Sequence, residues 1–174
     1  MDLLISLDER YLPQLRVLLA SVFCNNPGVR CRVYLLHRSI SRECLANLEQ
    51  DLNKLDWELR PIQVDENLFA EAPVTKQYPQ EMYYRLLAGQ LLPDNVKRVL
   101  YLDPDILVIN PLKPLWEMNL QGNLFAAAAH TGKTEFANNV NRVRLGTAGD
   151  YFNSGVLLMA LGQWRVQNVL RQLL

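Results

Sequence analysis

The chain has no excess of charge of either sign. Its 174 residues include 18 lysines and arginines and 18 aspartates and glutamates, so the formal net charge is zero. A broad nucleic-acid-binding surface requires a basic face, and this composition gives no sign of one. No apolar run approaches the ~20 residues that a membrane-spanning helix needs. We therefore expect no nucleic acid among the partners and no transmembrane segment.

Cysteine and histidine are both scarce. The three cysteines, Cys24, Cys31 and Cys44, have no C-x-x-C spacing, which favours buried, reduced thiols in a cytosolic protein. The first residues, MDLLISLDERY, contain no basic segment and only a short apolar run, so we expect no signal peptide. The two histidines, His37 and His130, have no partner at metal-ligand spacing, and a structural role is predicted for both.

The apolar content is ample, because hydrophobic residues make up 49% of the chain. That content and length suffice for one domain with a sizeable core, and we expect a single domain over residues 1–174. A helical pattern begins near Gly162 and the chain stops inside it without a cap. From this ending we expect a domain that is truncated at its C-terminus.

Apolar strand candidates alternate with amphipathic helical patterns along the chain. One helix has Ser41 as its predicted N-cap, and another is predicted to begin at Pro79. Because most strand candidates are apolar on both faces, the pattern predicts an α/β fold with a mostly parallel sheet and helices on both faces. The strand candidates are Leu3–Leu7, Cys31–Leu36, Trp57–Val64, Val99–Leu102, Ile106–Ile109, Leu124–Ala129 and Gly155–Leu161.

Two carboxylates, Asp103 and Asp105, interrupt the apolar stretch YLDPDILVI. Held together at the end of a strand they repel each other, and a divalent cation with a preference for oxygen ligands would remove that repulsion. A solvated Asp-Pro turn explains the same spacing equally well. Ligands of parallel sheets bind beyond the carboxyl ends of the strands. If the strands before Asp8 and Asp103 are neighbours, their carboxylates meet in one crevice.

A second stretch, AAAAHTGKT, ends in Gly132, Lys133 and Thr134 after a strand candidate. It resembles a phosphate-binding loop, in which backbone amides surround the phosphates of a nucleotide. Ala127 stands where the first glycine of that motif belongs, and it lacks the backbone freedom of glycine. A P-loop nucleotide hydrolase or kinase is therefore a minor alternative.

Several ordered motifs together resemble glycosyltransferase family 8, the retaining transferases that include lipopolysaccharide galactosyl- and glucosyltransferases. They are LLISLDERYLPQLRVLLASVFCNNP, YYRLLAGQLLP, YLDPDILVINPLKPLWEMNLQGN and YFNSGVLLMALGQWR. The similarity runs the length of the chain. It implies the nucleotide-diphospho-sugar transferase fold, GT-A, which is a Rossmann-like α/β domain.

The resemblance also implies roles for individual residues. Asp103 and Asp105 match the pair that binds Mn²⁺ (or Mg²⁺) and the diphosphate of a UDP-sugar, and Asp103 also lies near the donor ribose and sugar in relatives. Ser6 and Asp8 match positions that contact the uridine, with Asp8 at the edge of the uracil ring. Tyr11 matches a tyrosine that stacks on the uracil.

Two further matches concern the donor sugar, and two positions depart from the family pattern. Arg85 matches an arginine that contacts the sugar and the diphosphate, and Asn153 matches the asparagine of the F-N-[AS]-G motif. Arg10 stands where relatives often have asparagine. Pro104 has no amide hydrogen to offer a ribose or phosphate. A metal-binding histidine and a polar pair near the reacting carbon lie in later family motifs, beyond Leu174.

The implied activity is metal-dependent transfer of a hexose, glucose or galactose, from a UDP-hexose to a hydroxyl of a glycan or surface-polymer acceptor. An alternative is a UDP-sugar-binding module without transferase activity. The implied location is the cytoplasm, including the inner face of the membrane, where a peripheral association stays open.

Overall fold

The computed structural model describes residues 1–69, 80–129 and 152–166. Within these residues six strands form one sheet in the order β3-β2-β1-β4-β6-β5. The strands are β1 (Asp2–Ser6), β2 (Arg32–His37), β3 (Glu58–Gln63), β4 (Val99–Leu102), β5 (Phe125–Ala129) and β6 (Phe152–Met159).

The predicted class of sheet is confirmed. The pairs β2–β3, β1–β2 and β1–β4 are parallel, whereas β6 runs antiparallel to both β4 and β5. The neighbours β1 and β4 are paired at Leu3–Leu100 and Leu4–Tyr101. Their carboxyl ends therefore meet at one edge of the sheet, as the positions of Asp8 and Asp103 required.

Helices cover both faces, and the sheet residues alternate between the two cores because successive side chains of a strand point to opposite faces. Leu3 and Ile5 pack with the helices Leu12–Asn25 and Arg42–Asn53, whereas Leu4 packs with the segment that contains Tyr84 and with the helix Leu161–Val166. The α-helices are α1 (Leu12–Asn25), α2 (Arg42–Asn53), α3 (Ala88–Leu91), α4 (Lys113–Trp116) and α5 (Leu161–Val166); 3₁₀ helices span Glu9–Tyr11, Glu66–Phe69 and Gln80–Leu87.

The prediction of a buried strand at Ile106–Ile109 is wrong. The backbone amide of Val108 donates to Oγ of Ser21 at 3.0 Å, and its carbonyl accepts from the Asn25 side chain at 2.9 Å. These bonds fix the segment to α1 instead of to a neighbouring strand. Val108 is buried, but Leu107 and Ile109 are 60% and 72% exposed. The two aspartates therefore follow one strand and do not lie between two.

The helix predicted from Pro79 to Leu92 has a different form. Residues Gln80–Leu87 make a 3₁₀ helix, and only Ala88–Leu91 are α-helical. Gln80, Glu81, Tyr84, Arg85 and Leu87 are buried. In a 3₁₀ helix residues three apart lie in line, and Glu81 shares such a buried row with Tyr84 and Leu87.

The cysteines also differ in part from expectation. All three are free, but only Cys31 is buried; Cys24 is exposed and Cys44 is intermediate. Burial raises the pKa of the Cys31 thiol to about 11, which keeps it protonated and unreactive. Among the described residues, no helix has the length and apolar character to cross a membrane.

Candidate active site

A cavity of about 250 Å³ opens at the carboxyl ends of β1 and β4. The loop after β1, the 3₁₀ helix Gln80–Leu87, the loop after β4 and the start of β6 form its walls. Most of the predicted site residues meet here, although they are distant in sequence. The lining residues are Ser6, Leu7, Asp8, Tyr11, Glu81, Met82, Arg85, Tyr101, Asp103, Pro104, Asp105 and Ser154.

Asp103 lies at the centre of a hydrogen-bonded group. Its Oδ1 accepts a hydrogen bond of 2.6 Å from the hydroxyl of Tyr101 and is 3.3 Å from Nη2 of Arg85. The Tyr101 hydroxyl also lies 3.3 Å from Oγ of Ser6. Burial raises the pKa of Tyr101 well above its ordinary value, so the hydroxyl keeps its proton. These contacts hold one oxygen of Asp103 in place.

Arg85 is held rigidly beside this carboxylate. Its Nε donates to the carbonyl oxygen of Met82 at 2.8 Å, and its Nη1 donates to the carbonyl oxygen of Ser154 at 2.6 Å. Its guanidinium carbon lies 4.3 Å from the centre of the Tyr101 ring, a cation–π distance. With only 6% of its surface exposed, this fixed guanidinium supplies positive charge to the cavity.

Close approach of β6 to Asp103 requires a glycine. The amide of Asp103 donates to the carbonyl oxygen of Gly155 at 2.8 Å. A Cβ at position 155 would lie 2.7 Å from Oδ2 of Asp103 and 3.0 Å from Oδ1 of Asn153. The Gly155 amide donates to that Asn153 oxygen at 2.7 Å. Asn153 is thus connected to Asp103 through Gly155. Of the described β6 residues, Ser154 and not Asn153 lines the cavity.

Asp8 is engaged by its neighbour Arg10. Its Oδ1 accepts from the Arg10 amide at 2.9 Å, and its Oδ2 accepts from Nε and Nη2 of Arg10 at 3.1 and 2.6 Å. Partial burial by itself raises the pKa of Asp8, but the hydrogen bonds and charge of Arg10 outweigh this effect and lower it. Asp8 is therefore an ionised helix-cap residue whose two oxygens already have donors.

The remaining predicted residues differ in exposure. Ser6 is buried at the end of β1, Tyr11 is 39% exposed at the mouth of the cavity, and Asp105 is exposed. The predicted phosphate-loop residues 132–134 and His130 lie outside the described residues. His37 is buried, and its Nδ1 accepts a hydrogen bond from the Ile40 amide at 3.1 Å.

The cavity supplies some of the oxygen ligands that a hard divalent cation needs. Asp103 and Asp105 offer carboxylate oxygens in one cavity, which is the chemistry that Mg²⁺ and Mn²⁺ prefer. Among the described residues, Oδ2 of Asp103 accepts no hydrogen bond. No group of three or more histidine, cysteine or acidic side chains occurs there as a ready metal cage. Such an ion would take further ligands from phosphate and water.

Among the cavity residues that sequence reasoning missed are Tyr101, Glu81 and Ser154. Tyr101 was assigned only to a strand, although its position two residues before Asp103 places both on one face. Glu81 was not selected, although a carboxylate within YPQEMYYRLL is unusual on a buried helix. The role of the Ser154 carbonyl has no signal in the sequence, because a backbone group carries no residue identity.

The sequence matches the model of glycosyl transferase family 8 over residues 2–174. The chain belongs to glycosyltransferase family 8. Its backbone matches that of the galactosyltransferase LgtC, crystallised with donor and acceptor sugar analogues, with a TM-score of 0.87 and 30% sequence identity. That match covers 98% of this chain and 62% of LgtC. The predicted GT-A type of fold is thereby confirmed for this family 8 chain.

Relatives of named activity extend the likeness. The lipopolysaccharide 1,2-glucosyltransferase of Escherichia coli K12 is 30% identical over 90% of this chain and 46% of its own length. The lipopolysaccharide 1,3-galactosyltransferase of Salmonella typhimurium LT2 is 25% identical over 94% of this chain and 49% of its own. General stress protein A of Bacillus subtilis 168 is 27% identical over 93% of this chain and 56% of its own length. The chain thus spans about half the length of these relatives.

Proposed function

We propose that this family 8 chain is the nucleotide-sugar-binding part of a metal-dependent retaining hexosyltransferase. It takes glucose or galactose from a UDP-hexose and delivers it to a hydroxyl of a glycan or surface polymer, such as a lipopolysaccharide. The observation that carries this proposal is the convergence of Arg85, Asp103 and Asp105 in one cavity beside the end of β1. Relatives named as lipopolysaccharide galactosyl- and glucosyltransferases support the substrate class. The proposed location is the cytoplasm, with the acceptor at the inner face of the membrane.

The proposed metal ligands are Oδ2 of Asp103 and the carboxylate of Asp105. These carboxylates would hold a divalent ion, which would supply Lewis-acid neutralisation of the charge on the leaving diphosphate. The chain's own contribution is orientation. Tyr101 and Arg85 hold Oδ1 of Asp103, so that Oδ2 is the oxygen left to the metal.

Arg85 has the second role in this proposal. Its guanidinium already donates to two backbone carbonyls, so its position does not depend on a ligand. A fixed, planar cation beside the metal pair suits a diphosphate and the hydroxyls of a donor sugar. Preorganised charge of this kind acts without rearrangement during the reaction. Asn153, through Gly155, holds the β6 side of the same group.

Calorimetry with UDP in the presence of Mn²⁺ or of a chelator tests the proposal. We expect UDP to bind with Mn²⁺, and Asp105→Ala to lose the metal-dependent part of that affinity. Asp94→Ala is the matched control, because its carboxylate is 98% exposed and precedes β4, at the opposite edge of the sheet. Unchanged affinity and metal dependence in Asp105→Ala would show that the pair is wrongly assigned.

A hydrolysis and transfer assay with UDP-glucose and UDP-galactose distinguishes the transferase from a binding module. Release of hexose or its transfer to a glycan acceptor supports the transferase. Metal-dependent UDP binding without turnover supports the alternative, a UDP-sugar-binding module. ATP binding that is lost in Lys133→Ala and kept in Asp103→Ala would instead support the P-loop enzyme.

A further inference from the structure

Glu81 is a buried acidic residue in the cavity that the proposed mechanism does not use. It is 6% exposed, and it lines the cavity together with Asp8 and Arg85. Its Oε1 is buried and has no hydrogen-bond partner among the described residues. Buried carboxylate oxygens nearly always have donors, because loss of hydration is otherwise uncompensated. Because the Glu81 residue also lines the cavity, a bound ligand is a candidate source of the missing donor.

Among the described residues, the cation that pairs with this oxygen does not satisfy it. Nε of Arg38 lies 3.9 Å from Oε1 of Glu81, which exceeds hydrogen-bond length. The Arg38 side chain is 45% exposed, so water screens its charge. Arg38 therefore attracts the Glu81 carboxylate electrostatically but does not supply the missing hydrogen bond.

The position of Glu81 in the cavity indicates which part of a bound UDP-sugar lies beside it. Arg38 follows β2, and Arg10, whose pKa is raised first by Asp8 and further by the charge of Glu81, follows β1. Glu81 thus lies toward β1 and β2, whereas the proposed diphosphate site at Asp103 and Asp105 follows β4. A carboxylate would repel a diphosphate. The half of the nucleotide that can lie beside Glu81 is the nucleoside.

The contacts of Asp8 strengthen this assignment. The family resemblance gave Asp8 the edge of the uracil ring, but Arg10 already donates to both of its oxygens. We propose that Glu81 accepts a hydrogen bond from the nucleoside half of the bound UDP-sugar, from the uracil ring N–H or a ribose hydroxyl. Carboxylate oxygens accept hydrogen bonds, so Glu81 selects ligands with a donor at this point. This inference rests on the proposed UDP-sugar function.

Comparison of the wild type with Glu81→Gln tests the inference, by calorimetry with Mn²⁺ and UDP, CDP or 2′- and 3′-deoxy-UDP. We expect Glu81→Gln to weaken UDP binding by about tenfold or more, as for loss of a hydrogen bond to a charged group. If the ring N–H is the donor, the variant loses preference for UDP over CDP. If a ribose hydroxyl is the donor, it loses preference for UDP over the matching deoxy analogue. Equal UDP affinity in both proteins, with all preferences unchanged, overturns the inference.

Arg38→Gln is the control for a purely structural role of Glu81. If the two side chains only stabilise each other, both variants lower the melting temperature alike and neither changes UDP affinity, which contradicts the inference. We expect instead that only Glu81→Gln weakens UDP binding while its melting curve stays close to that of the wild type. If the wild-type protein does not bind UDP, both the proposed function and this inference are wrong. If the wild-type protein binds UDP in a metal-dependent way and Glu81→Gln binds it equally well, only this inference is wrong.

Discussion

The hydroxyl of Tyr101 donates a hydrogen bond of 2.6 Å to Oδ1 of Asp103. The two residues are two positions apart at the end of β4, so their side chains leave the same face of the sheet. Because burial raises the pKa of Tyr101, this donor does not titrate in the neutral range. Asp103 is therefore oriented by its own strand, and Nη2 of Arg85, from the 3₁₀ helix, is an ion-pair partner of the same oxygen at 3.3 Å.

Removal of this hydroxyl tests the orienting role. We expect Tyr101→Phe to weaken Mn²⁺-dependent UDP binding by about tenfold, because Asp103 loses a charge-assisted hydrogen bond and gains rotational freedom. Calorimetry at several Mn²⁺ concentrations measures the effect. Tyr34→Phe is a matched control, since Tyr34 is a tyrosine buried in β2 that does not line the cavity. The same loss in both variants would assign it to general destabilisation.

A side chain at Gly155 is predicted to displace Asp103. The added methyl of Gly155→Ala would lie 2.7 Å from Oδ2 of Asp103, too close for carbon and oxygen. The carboxylate must move, which disturbs its contacts with Tyr101 and Arg85. We expect about tenfold weaker metal-dependent UDP binding, measured by calorimetry, in line with one lost charge-assisted bond.

Gly162→Ala provides the comparison for that substitution. A Cβ at Gly162 finds its nearest neighbour, Cδ of Lys97, at 3.8 Å, an ordinary contact. We expect this variant to bind UDP like the wild type and to melt at the same or a higher temperature, because alanine favours a helix over glycine. Unchanged UDP affinity in Gly155→Ala would show that the position of Oδ2 does not matter for binding.

Arg10 is predicted to compete with the nucleotide for Asp8. Its side chain is 85% exposed, so the ion pair contributes little to stability. We expect Arg10→Asn to leave the melting temperature nearly unchanged and to strengthen UDP binding by a few-fold, because Oδ2 of Asp8 becomes available. Arg16→Asn, at another exposed ion pair on α1, is the control. Weaker UDP binding in Arg10→Asn would indicate that Arg10 contacts the nucleotide directly.

His37 is expected to make the fold sensitive to acid. Burial lowers its pKa from the ordinary value of 6.5, and its Nδ1 must stay unprotonated to accept from Ile40. The unfolded chain therefore takes up a proton first, so this contribution to stability is complete above pH about 6.5 and falls as the pH decreases toward the folded pKa. Thermal melts of the wild type and His37→Asn from pH 8 to pH 5 measure it. Parallel curves would exclude His37 as a source of the dependence.

The sequence determined the class of fold and the position of the candidate site. Alternation of apolar runs with helical patterns predicted the parallel sheet, and the ligand edge followed because parallel strands end together. Asp103 and Asp105 were found from their spacing alone, with a metal site and a turn equally plausible. The ordered motifs, matched along the whole chain, favoured the sugar-nucleotide site.

Only the tertiary structure decided how the site residues are held. Arg85 donates to the carbonyl of Ser154, 69 positions away, and no local pattern encodes a bond to a backbone group. Val108 bonds to Ser21 of α1, which removed a predicted strand, because an apolar run specifies burial but not its partner. The unpartnered oxygen of Glu81 likewise depends on what surrounds it. Residue types and periodicity set which groups can interact, whereas packing of distant segments sets which of them do.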